Sequence, residues 1–128
     1  MGTVHKQTAS TDAPTWEYPT AMTVGYDSGN ASCGVVKRVL VGPEEGAGDF
    51  VIRHFTLPAG GNSALEHHKH QHGVVITHGS GQVLIGDTWH DLAVGDAVYV
   101  EPDEMHQFRA SASEPLSFIC VIPNWAGV

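Results

Sequence analysis

The sequence predicts an all-β sandwich or barrel, and three observations carry that expectation. From residue 35 to the end the chain is cut into runs of five to eight residues rich in Val, Ile and Phe. Gly, Pro and Asp stand between the runs, which is the chemistry of turns. No helical stripe longer than two turns interrupts the stretch. Short strands at near-regular spacing, with no internal repeat, close into a sandwich or barrel.

The elements follow in order. Residues 1 to about 15 are rich in Thr, Ser, Ala and Pro and lack periodicity. They read as an arm that is mobile or that orders on a partner subunit. Trp16, Tyr18 and Tyr26 add apolar bulk without a helical repeat. The expected division is therefore an N-terminal arm over 1–34, partly flexible or swapped within a dimer, and a barrel domain over 35–128. The strand-like runs are "VVKRVLV", "DFVIRHFTL", "GVVITHG", "GQVLIG", "TWHDL", "DAVYVEP", "HQFRAS" and "LSFICVIP". "IGDTWHDL" reads as a hairpin with Gly86-Asp87 near its turn.

Bulk properties exclude several function classes. The 128 residues are the length of one compact domain with its own core. Six Lys+Arg stand against 14 Asp+Glu, a net charge of −8. Such a surface repels phosphate backbones, so no nucleic-acid partner is expected. No apolar stretch approaches the ~18 residues of a membrane span, and the N-terminus has no secretory h-region. Cys33 and Cys120 form neither a disulfide framework nor a CxxC pair. A cytoplasmic, reducing location is the default expectation.

The chemistry lies in "EHHKHQHG", residues 66–73, where four of the nine histidines and a glutamate fall together. Glu66, His68 and His72 sit at even offsets, and strand side chains alternate with period two. A segment passing a short turn can aim all three into one cavity. Imidazole and carboxylate ligands suit Mn, Fe, Zn, Ni or Cu, and the lack of cysteine ligands argues against a thiolate-rich zinc site. His70 has the parity to compete for the metal as an alternative ligand, whereas His67 has the opposite parity. His54 and His78 read as hydrogen-bonded structural histidines.

Residues 60–79 resemble the first motif of the cupin family. Gly60 is followed by five residues, then Glu66, His68, His72 and, after six more, Gly79. Residues 95–110 resemble the second motif through Gly95, Glu101, Asp103, His106 and Ala110 at the family's intervals. The departures are a double exchange. Glu66 stands where the family has its first histidine, and His72 stands where it has its glutamate. Glu101, Asp103 and Ala110 replace the second motif's Pro, Gly and Asn. The resemblance covers about 40–122 and implies a jelly-roll barrel of two facing antiparallel sheets.

It also implies one divalent transition metal, Mn or Fe favoured and Zn, Ni or Cu admissible, on Glu66, His68, His72 and His106. "KRVLVG", "FVIRHFTLPAGG", "VYVEPDEMHQFRA" and "FICVIP" are similar to small cupins whose site holds four histidines, and by that match Arg53, Phe118, Cys120 and Ile122 line the pocket. Residues 118, 120 and 122 share one strand face, in keeping with that match.

Three histidines and a carboxylate leave about two open positions on a six-coordinate metal. Glu66 either binds the metal or acts as general base, and Arg53 is the cation expected in the catalytic pocket. The expected function is metal-dependent chemistry on a small enolisable or aromatic substrate, with a dioxygenase placed first. A non-oxidative polyketide cyclase, lyase or isomerase stands beside it, and a non-enzymatic metal or ligand-binding module is the third reading. Cupins of this size usually pair, so a homodimer is expected.

Overall fold

The structure is a computed structural model, and it describes residues 1–26 and 34–128; Cys33 falls outside them. Among these described residues eight strands follow one another: β1 Met22–Val24, β2 Val36–Val41, β3 Phe50–Leu57, β4 His72–Ile85, β5 Thr88–Ala93, β6 Ala97–Val100, β7 His106–Ala110 and β8 Leu116–Pro123. Every pairing is antiparallel. The larger sheet runs β1-β2-β3-β8-β4-β6, and the smaller one places β5 and β7 on either side of the later part of β4. This is the jelly-roll architecture expected from the sequence. Among the described residues no helix is long and apolar enough to cross a membrane.

Two runs read separately in the sequence, "GVVITHG" and "GQVLIG", are one 14-residue strand. β4 pairs with β8 and β6 through residue 79, then with β5 and β7 from residue 80. Gly79 and Gly81 are turn-like in composition, but here they serve close approach. A Cβ on Gly79 would lie 1.7 Å from the Pro115 carbonyl oxygen, and one on Gly81 would lie 2.1 Å from that of Arg109. The hairpin at Gly86-Asp87 forms as expected, with Ile85 paired to Thr88.

Alternation along the strands builds the core. Val51, Arg53, Phe55 and Leu57 of β3 face inward, as do Leu116, Phe118, Cys120 and Ile122 of β8. Phe118 stacks between Phe55 and Phe108 at 5.2 and 4.5 Å. Each such side chain removed from water contributes about 1.5–3 kcal/mol.

The opposite face of β3 and β8 is covered by the N-terminal segment. Trp16 and Tyr18 pack on His54 with ring separations of 5.9 and 5.7 Å, and the Thr15 hydroxyl lies 2.7 Å from that of Ser117. That cover explains why His54 and Ser117, which point outward, are fully buried. β1 lies within the span expected as an arm, so the sheet starts at Met22 rather than at 35.

Candidate metal centre

Between β3 and β4 the chain has only isolated bridges, yet residues 65–74 alternate strictly. Leu65, His67, Lys69, Gln71 and Gly73 are exposed; Glu66, His68, His70, His72 and Val74 turn inward. Backbone pairing fixes this phase. Glu66 and His106 exchange both N–H to carbonyl bonds, at 3.1 and 3.0 Å, and Ser63 and Phe108 are tied together further along the same pair of segments. His72 then opens β4, paired with Val100. Glu66, His68, His70, His72 and His106 therefore line one cavity of about 290 Å³.

Within it, one ligand atom each from His68, His72 and His106 lies within 4.8 Å of the other two. The hydrogen bonds orient the rings. His106 Nδ1 is 2.9 Å from the Glu104 carbonyl, which can only accept, so Nδ1 carries the proton and Nε2 keeps its lone pair. His72 Nδ1 is 3.4 Å from Cys120 Sγ, while its Nε2 is buried with no partner among the described residues. A buried, unpartnered imidazole nitrogen is costly unless something binds it. The donor set, with outer partners on the far ring nitrogens, fits a divalent transition metal.

Burial favours the neutral form of His72, His106 and His70. Burial, followed by the charges of His106 and Arg53, pushes His72 down to about 2. Burial also lowers His106, and with His68 beside it brings His70 to about 4. Lone pairs are thus present at neutral pH, the form a metal requires.

Glu66 and His70 stand beside the triad. Glu66 Oε1 is 3.1 Å from His68 Nε2 and accepts a hydrogen bond from the Tyr26 hydroxyl at 3.5 Å. His70 stacks on His68 at 4.7 Å and 8°. His67 is exposed, and His54 and His78 sit together outside the barrel against Trp16.

Arg53, Phe118, Cys120 and Ile122 line the cavity. Arg53 Nη2 donates to Cys120 Sγ at 3.0 Å. Burial raises the Cys120 thiol and Arg53 opposes the rise. Sequence reasoning missed Tyr26 and Lys37, which also line the cavity. It gave Arg53 as the cation of the pocket, whereas Lys37 is a second buried cation in the lining. The signal for Lys37 was its parity with the apolar Val39. For Tyr26 there was none, because its contact with Glu66 spans 40 residues.

The second motif's turn survives its substitutions. Asp103, at the family's glycine position, adopts φ +62°, a left-handed conformation that aspartate tolerates better than most residues. Its N–H donates to the His68 carbonyl and holds the ligand loop against the β6–β7 turn.

Known proteins are similar to this chain in both sequence and structure. A family model described as a cupin domain matches residues 53–122. A Rhodospirillum rubrum protein named 1-methylthio-D-xylulose 5-phosphate methylsulfurylase is 41% identical over 71 residues, 56% of this chain. That match covers 46% of the relative, so the chain spans less than half the length of its curated relative. A solved cupin-2 domain from Rhodospirillum rubrum superposes with a TM-score of 0.77 at 32% identity, over 85% of this chain and 73% of its own. A cupin 2 conserved barrel domain protein from Rhodopseudomonas palustris gives 0.77 at 34% identity, over 94% and 80%.

Proposed function

The chain belongs to the cupin family, and from that membership we propose that it is a mononuclear divalent-metal enzyme acting on a small enolisable carbonyl compound without consuming dioxygen. The observation that carries the reading is the buried, unpartnered Nε2 of His72 at the centre of the histidine cluster. His68, His72 and His106 would hold the ion. When bound, it supplies Lewis-acid polarisation of a carbonyl oxygen.

The rest falls to the chain's own side chains. Glu66 lies outside the three-histidine group and contacts His68, which suits it to take a proton from the carbon next to the carbonyl. The Tyr26 hydroxyl, bonded to the same carboxylate, orients it. The Phe55, Phe108 and Phe118 rings exclude water on one side of the cavity. One observation favours the non-oxidative reading over a dioxygenase: the relative in Rhodospirillum rubrum is named for a ketose derivative.

The test uses metal-loaded protein in anaerobic D2O with a panel of small ketones and β-diketones, followed by proton NMR. The expected result is exchange of the protons next to the carbonyl and no uptake at an oxygen electrode under air. Glu66→Gln should slow exchange ~10²–10⁴-fold at unchanged metal content. Metal loss in that variant would make Glu66 a ligand instead. Oxygen uptake with no exchange would replace this reading with a dioxygenase, and metal binding without either activity would leave a binding module.

A further inference from the structure

Two of the chain's six cations are inside the barrel. Arg53 and Lys37 are each 7% exposed, and both line the metal cavity. They sit on one inward face of neighbouring strands. Lys37 pairs with Phe55 and Arg53 pairs with Val39, so the two cations are diagonal neighbours. Burying a charge is expensive unless an opposite charge accompanies it.

Arg53 has no such partner among the described residues. Arg53 gives Nη2 to Cys120 Sγ, lies 4.9 Å over the Phe55 ring, and leaves Nε buried without an acceptor. Lys37 Nζ donates to the main-chain oxygen of Val128 at 2.9 Å and stands 5.8 Å from the Tyr26 ring centre. Glu66, the one acidic side chain lining the cavity among the described residues, is engaged by His68 and Tyr26.

We propose that Arg53 and Lys37 form an oxyanion subsite in the wall of the metal cavity, which binds the carboxylate or phosphate group of the substrate. This rests on the reading of the cavity as an enzyme's metal site and narrows its substrate class to small anionic carbonyl compounds. The planar guanidinium fork matches either group through paired hydrogen bonds, and the Lys37 ammonium adds a second charge from the adjoining strand. A cavity of about 290 Å³ admits only a short carbon skeleton between this wall and the histidines.

The experiment titrates inorganic phosphate and, separately, acetate into metal-loaded wild-type, Arg53→Met and Lys37→Met proteins by calorimetry. Elemental analysis and thermal melting are run on the same samples. The expected result is saturable binding of at least one anion to wild type, weakened tenfold or more in both variants, with metal content unchanged. The tighter of phosphate and acetate identifies the group. Without added anion, Arg53→Met should melt at or above the wild-type temperature, because it loses a buried charge with no carboxylate partner; a structural arginine would give the reverse. No anion binding to wild type, or equal binding in all three proteins, would overturn the subsite. Wild type that binds phosphate but retains no metal would instead overturn the metal reading and leave the subsite standing.

Discussion

Side-chain parity decides which histidines share the cavity, and it does so without a continuous strand. Glu66, His68, His70 and His72 turn inward because 65–74 keeps period two across the bridges to β7 and the start of β4. That much was legible from even offsets. The separation of Glu66 and His70 from the three-histidine group was not, because it depends on side-chain reach. His54 was read as structural, and its surroundings give it a measurable consequence. It is 2% exposed beneath Trp16 and Tyr18, with His78 and Arg38 as its titratable and charged neighbours.

Burial, with His78 and Arg38 adding to it, lowers His54 to about 4 from 6.5. Above pH 6.5 the ring is neutral in both the folded and unfolded chain and contributes no pH dependence. Between 6.5 and 4 only the unfolded chain takes up the proton, so stability falls as pH falls, by roughly 3 kcal/mol in all. Below 4 both forms are protonated and the loss stops growing. In urea unfolding between pH 7.5 and 4.5, His54→Gln should show a shallower acid loss than wild type by about that amount. Equal slopes would mean that His54 titrates normally in the fold.

At the scale of elements, β4 shows where a sequence reading stops. Gly79, Ser80 and Gly81 look like a turn between two strands. They are instead the point where one strand passes from the larger sheet to the smaller. Glycine is required there because of what lies against it, the Pro115 and Arg109 carbonyls, and only the third dimension reveals those neighbours. Gly79 also adopts φ +75°, so a side chain at this position meets both strain and a backbone clash. Gly79→Ala should therefore cost about 3 kcal/mol or more, read as a drop in the urea midpoint. An unchanged midpoint would show that β4 and the 114–116 turn separate more easily than the structure implies. The Gly86-Asp87 hairpin, by contrast, was legible because its turn chemistry is local.

For the molecule as a whole, the barrel places one cavity at the meeting point of segments far apart in sequence. Tyr26 and Lys37 come from its beginning, Arg53 from β3, the histidines from the middle, and Cys120 from the last strand. Most of the strand runs and both cupin motifs could be read directly, since each is contiguous. The cation pair and the N-terminal cover on His54 and Ser117 could not, since both need strand register to bring them together. The histidine triad is the feature on which the functional reading depends. It is tested most directly by anomalous X-ray diffraction at the absorption edge of the metal retained by the purified protein. The expected result is a single anomalous peak bonded to His68, His72 and His106, absent in crystals of His106→Ala. A peak at His67 or on the surface, or a peak that persists at full height in His106→Ala, would contradict it.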